Sequence, residues 1–173
     1  IHVAPSFETI AAYSKILDFT FEKKFSEIVD YDHSGYFKAR KNNALVFFDA
    51  AEIGPSYIPG HGHADTLSIE FSYLKKRLIV NTGTSTYTKS DRRSYERSTA
   101  AHSTVEINDK DSSEVWDSFR VGNRARITKR SHGYENSKVF LEAEHDGYKN
   151  ILHNRKVLLG TDCLVIEDTI TGK

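Results

Sequence analysis

Hydrophobic and polar positions alternate along most of this chain, and only its beginning follows a different period. Phe7, Ile10, Tyr13 and Leu17 recur at helical spacing behind Ser6, a residue suited to an N-cap, with Glu8 in the first turn. That pattern predicts one helix within residues 6–24. From Gly35 the period falls to two. Residues 36–40 and 44–48, joined by Lys41-Asn42-Asn43, read as a hairpin, because asparagine tolerates left-handed turn geometry. Residues 50–60 read as a loop bounded by Pro55 and Pro59-Gly60. Leu67, Ile69, Phe71 and Tyr73 then alternate with Ser68, Glu70 and Ser72 as a half-buried strand, with Leu78-Ile79-Val80 as a short buried partner. Beyond a polar excursion over residues 85–101, strands are expected at 103–107, 125–128, 139–144, 151–159 and 164–169. Asp109-Lys110-Asp111, Gly133 and Asp146-Gly147 read as turns among them. Many short strands and one terminal helix predict an all-β fold, an antiparallel β-sandwich with a short N-terminal helical segment.

The 173 residues suffice for one domain with a real core. Lys plus Arg and Asp plus Glu both number 24, so nothing in the overall charge draws the chain toward nucleic acid. The single Cys163 excludes an internal disulfide and a cysteine-based metal knuckle. No apolar run reaches the roughly 18 to 20 residues of a membrane span. The chain starts at Ile1 and stops just after a strand-like run, which leads us to expect a piece of a larger protein.

Candidate chemistry concentrates between Pro59 and Thr104. His61 and His63 stand two apart, so an extended backbone would put both imidazoles, and Asp65, on one face. His102 lies at the far end of the excursion, where a sandwich could return it to the pair. Such imidazoles serve equally as metal ligands or as hydrogen-bond partners of backbone carbonyls. Tyr87, Arg92, Arg93, Tyr95 and Arg97 populate the excursion itself. Tyrosine can carry a proton in acid–base chemistry, and arginine grips carboxylates and sulfates through paired hydrogen bonds. A solvated basic loop would show the same composition. Trp116 suits either a sugar-stacking face or a core position. His145 and His153 are weaker candidates.

In order along the chain, His61-Gly-His-Ala-Asp-Thr-Leu-Ser68, Leu78-Ile-Val-Asn-Thr-Gly-Thr-Ser-Thr-Tyr87 and Arg93-Ser-Tyr-Glu-Arg-Ser-Thr-Ala-Ala-His-Ser-Thr-Val105 resemble the heparinase II/III family domain. Ser113-Glu-Val-Trp116 and Glu144-His-Asp-Gly-Tyr148 extend the resemblance, which runs over residues 34–173. It implies a polysaccharide lyase in which an (α/α) helical toroid precedes a β-sandwich, with the active cleft between them. Residues 1–28 would be the helical linker from the upstream toroid, and 29–173 the sandwich, truncated at its C-terminus. The implied reaction is β-elimination at a uronic acid, leaving a 4,5-unsaturated sugar.

The resemblance implies His61 as a cleft histidine near the substrate carboxylate, with Tyr87 or Tyr95 as the sandwich-side tyrosine; Tyr87 is favoured by its place in Gly-Thr-Ser-Thr-Tyr. Arg93, Arg97, Trp116 and His145 would contact an acidic polymer. His63 and His102 would hold a structural zinc. Its third ligand, an aspartate in several members, falls here at Asn81, whose uncharged amide oxygen would bind the metal more weakly. The implied substrates are acidic glycans such as heparan-type glycosaminoglycans, alginate or a capsule, met in the periplasm or outside the cell. Much of the catalytic machinery would come from the toroid, so the sandwich alone is expected to be inactive. A non-catalytic glycan-binding or surface-polysaccharide assembly domain is the alternative reading.

Overall fold

The structure is a computed structural model that describes residues 5–20 and 26–172. Its first element is helix α1 (Phe7–Ile16), capped as expected by Ser6, whose hydroxyl accepts the Thr9 amide at 3.2 Å. The helix ends well before residue 24, and residues 21–25 lie outside those described. None of its residues is buried, and its apolar stripe of Phe7, Ile10 and Tyr13 is half or more exposed.

Five strands build the first antiparallel sheet: β1 (Ile28–Tyr31), β2 (Tyr36–Lys41), β3 (Ala44–Asp49), β4 (Ile69–Tyr73) and β5 (Lys76–Ile79), in that spatial order. The β2–β3 turn is a two-residue Asn42-Asn43 link, with Asn42 at φ +49°, the left-handed geometry its sequence suits. A short hairpin, β6 (Val115–Trp116) with β7 (Arg120–Val121), stands apart. Four longer strands form the second sheet: β8 (Ile127–Glu135), β9 (Lys138–Tyr148), β10 (Ile151–Leu159) and β11 (Leu164–Gly172), in spatial order β11-β10-β9-β8.

The core lies between the sheets. Phe37, Ala39, Ala44, Val46, Phe48, Leu67 and Ile69 from one side meet Val139, Leu141, Ala143, Val157 and Leu159 from the other. Alternation within each strand sends every second side chain inward, and each large apolar one so buried contributes about 1.5–3 kcal/mol. The fold is the expected all-β sandwich.

Several local expectations are corrected. Residues 91–97 form a helix, α2 (Asp91–Arg97), where a loop was expected. Residues 103–107 form no strand; the Ser103 and Thr104 side chains tie this segment to the backbone of Ile69 and Thr66. Gly133 and Asp146-Gly147 lie inside β8 and β9; the turns are at Asn136-Ser137 and Lys149-Asn150. Leu78 and Val80 are exposed around edge strand β5 rather than buried.

Candidate active cleft

The loop after Pro59 carries His61 and His63 across one end of the sandwich. A turn, with the Gly62 amide donating to the Pro59 carbonyl at 2.8 Å, sends the two imidazoles into different neighbourhoods. Gly62 has to be glycine, since a Cβ there would come within 2.6 Å of Ile53 Cγ1 and 3.1 Å of the Pro59 carbonyl. One cleft nevertheless takes in both histidines, together with Tyr36, Asp49, Asp65, Asn81 and Thr84.

His61 is exposed and sits in an aromatic cluster. Its ring meets Tyr87 edge-on at 5.2 Å and Phe119 at 5.5 Å, while Tyr87 and Phe119 stack at 5.7 Å. The guanidinium of Arg93 lies behind both, 5.3 Å from the Tyr87 ring and 5.9 Å from Phe119. Phe119 was not singled out from the sequence. It sits in the turn of the β6–β7 hairpin, and its nearness to Trp116 in sequence was the available hint.

His63 Nδ1 lies 3.3 Å from His102 Nε2. On its other side His63 Nε2 is 3.2 Å from the Thr84 hydroxyl and 3.2 Å from Arg93 Nη1. Burial, then the neighbouring His102 and Arg93, push the His63 imidazolium down to about 4, so the ring is neutral at pH 7. Asp65 completes a group of three whose ligand atoms all lie within 4.8 Å of one another. Its carboxyl is raised to about 6 by burial, and that of Asp49 is raised by burial and by Asp65. Two neutral imidazoles and a carboxylate with no ion pair among the described residues are a donor set that fits a divalent cation. Asn81 fits less well. Its Oδ1 accepts the Gly83 amide at 2.7 Å, and its Nδ2 faces His102 Nδ1 at 3.2 Å.

Four of the predicted substrate and catalytic residues are placed elsewhere. Arg97 is 1 % exposed, and its guanidinium donates to the carbonyls of Gly62, Trp116, Asp117 and Arg120 at 3.0–3.2 Å, so it knits loop to hairpin and reaches no polymer. Arg93 is equally buried, held by the Ser118 carbonyl and His63. Tyr95 projects from the side of α2 opposite the buried Arg93, Glu96 and Arg97, because a helix places residue i+2 on the far face. His145 is wholly buried beneath the cleft. Trp116 is half exposed on the hairpin, where a ligand could meet it. Glu96 was not foreseen: it accepts the Ser85 hydroxyl at 2.5 Å and amide at 2.9 Å, which with Arg92 hold its carboxyl at about 2 and lock the loop leading to Tyr87 onto α2.

The family model for the heparinase II/III-like C-terminal domain matches residues 25–173. The chain belongs to the heparinase II/III-like family. Among solved structures, the heparinase III product of the BT4657 gene is similar at a TM-score of 0.73 and 20% identity, over 95% of this chain and 27% of that one. A heparan sulfate lyase HepC mutant from Pedobacter heparinus gives a TM-score of 0.72 at 16% identity, over 96% of this chain and 27% of that one. At those identities the likeness is one of fold. This chain spans about 27% of the length of these solved chains. No sequence relative is found among curated proteins.

Proposed function

We propose that this domain is the β-sandwich portion of a polysaccharide lyase that cleaves uronic-acid-containing glycans by β-elimination. The observation that carries the reading is the contact of His61 with Tyr87 at the cleft surface, beside the His63–His102 pair. β-Elimination removes the C5 proton α to the uronate carboxylate and delivers a proton to the departing 4-linked oxygen. An imidazole and a phenol side by side are two groups able to carry these protons. His61 stands at the carboxylate and reacting carbon, and Tyr87 serves the proton transfers. Phe119 and Trp116 offer faces for sugar rings, and the helical toroid supplies the remaining machinery from across the cleft.

His63, His102 and Asp65 would hold a zinc ion whose role is to brace the cleft floor, with Asn81 orienting His102 in place of ligating. A polymer too large to cross a membrane is met in the periplasm or outside the cell. The deciding experiment digests heparan sulfate, alginate and other acidic glycans with the full-length protein and follows the ultraviolet absorbance of the unsaturated product. Product from at least one glycan, lost in His61→Ala, supports the reading; none from any acidic glycan overturns it. The sandwich alone is expected to show no measurable turnover.

The second reading, a glycan-binding or assembly domain without catalysis, draws on Asn81 standing where the resemblance implies an acidic ligand, and on the burial of Arg93 and Arg97. Glycan binding that survives His61→Ala and Tyr87→Phe, with no unsaturated product, would favour it.

A further inference from the structure

Two sequence features near the end of the chain, Glu144-His145-Asp146-Gly147-Tyr148 and His153-Asn154-Arg155, take no part in the cleft surface. They converge beneath it. The Gly147 amide donates to His145 Nδ1 at 3.0 Å, which leaves the proton of this neutral ring on Nε2. His145 Nε2 then donates to His153 Nδ1 at 3.1 Å, and His153 Nε2 donates to Asp168 Oδ1 at 2.6 Å. Each proton in this row is fixed by the bond before it. Asp168 also accepts Arg155 Nε at 2.8 Å and Nη2 at 2.9 Å, a paired grip that leaves Nη1 free to point elsewhere.

Nη1 points at the cleft loops. It donates to the carbonyl of Leu67 at 2.8 Å and to that of Ser103 at 2.5 Å. Leu67 comes two residues after Asp65, and Ser103 directly follows His102. The Tyr148 hydroxyl adds a bond to the Val105 carbonyl at 2.6 Å. The two loops are stitched to each other as well, by Thr104 Oγ1 to the Thr66 carbonyl at 2.9 Å and by Ser103 Oγ to the Ile69 carbonyl at 2.6 Å. Residues 103–107 belong to no sheet, so these side-chain bonds replace a strand ladder in locating them.

We propose that Arg155 is the positioning residue of the cleft: held in one orientation by Asp168 and the His145–His153 pair, it sets where the loops bearing His63, Asp65 and His102 stand on the second sheet. A guanidinium suits this task because its planar fork reaches a carboxylate and two carbonyls at fixed angles, whereas an ammonium is a single point. His145, His153 and Arg155 are 0 %, 0 % and 5 % exposed, so the donors of this network are shielded from water, while Asp168 closes it at the surface with its side chain 26 % exposed.

The test is amide hydrogen exchange on this chain with Arg155→Lys, which keeps the charge and loses the fork. Exchange within residues 62–69 and 99–105 should quicken by about tenfold or more, while the interiors of β2, β3 and β9 keep their protection. Uniform acceleration across both sheets would reduce Arg155 to general stability and overturn the proposal, and so would unchanged exchange in the two loops. Should Arg155→Lys not fold, Asp168→Asn keeps the His153 bond while weakening the hold on Arg155, and is judged by the same pattern. Only the kinetic consequence rests on the lyase reading. In a full-length protein with lyase activity, Arg155→Lys should lower kcat more than it raises KM. Absence of lyase activity in the unmutated protein would sink that reading and leave the exchange result standing.

Discussion

His61 and Tyr87 reach the cleft surface from different segments, one from the loop after Pro59 and the other from the polar stretch before α2, and meet ring to ring. Proton-carrying groups of this kind contribute about 10²–10⁴-fold each to rate, so His61→Ala or Tyr87→Phe should lower lyase turnover by that order without unfolding the sandwich. Product absorbance and circular dichroism on the same samples check both halves. His145 makes a different prediction. Burial, followed by the neighbouring His153, pushes its imidazolium down to about 3 from an ordinary 6.5. A histidine with a lower pKa folded than unfolded takes up a proton on unfolding, so stability is complete above about 6.5 and is lost as pH falls toward 3, by about 1.4 kcal/mol per unit. Asp65, raised to about 6 from 3.8, acts in the opposite direction between those two values. Urea unfolding from pH 7 to pH 4.5 should therefore show a slope that drops by one proton's worth in His145→Gln. At this scale the sequence revealed the histidines and Tyr87, since residue type and motif order mark them. It did not reveal which arginines face outward. Arg93 and Arg97 look like polymer contacts until their burial under the aromatic cluster and the hairpin is seen.

Among the elements, α2 is the one the hydrophobic pattern concealed. Its buried face is Arg93, Glu96 and Arg97, so the period of 3.6 is written in charges, which a search for apolar repeats passes over. Only the cap was conventional: Ser90 accepts the Arg93 amide at 3.2 Å, and Ser90→Ala should cost about 1 kcal/mol in denaturant unfolding. Arg97→Ala should cost more, on the order of 3 kcal/mol, because it removes a buried guanidinium that donates to four carbonyls of the histidine loop and the hairpin. The same experiment, read through Trp116 fluorescence, should report loosening of the hairpin. The strands of both sheets were legible because alternation survives wherever one face meets the core. Residues 103–107 alternate too, yet this segment is fastened by Ser103 and Thr104 hydroxyls to the Ile69 and Thr66 carbonyls and joins no ladder.

For the molecule as a whole, two sheets share one apolar core, while the cleft is built almost entirely from polar and aromatic contacts outside it. A cation bound at His63, Asp65 and His102 would therefore stabilise the cleft end more than the sandwich. Purified protein should carry about one zinc per chain, judged by the three-ligand geometry. Chelation should lower the melting temperature by mass action, and His63→Ala should abolish both the zinc and the chelator effect. Zinc at full occupancy in His63→Ala would refute this ligand set.

The hold of Arg97 on four separate carbonyls has a practical consequence for anyone recombining domains of this family. The loop from Gly60 to Asp65, helix α2 and the β6–β7 hairpin are far apart in sequence, yet one guanidinium closes them into a single cassette. A chimera that imports the histidine loop alone would set a foreign backbone against carbonyl positions chosen by its former host. Specificity in such hybrids should travel only when all three pieces are exchanged together.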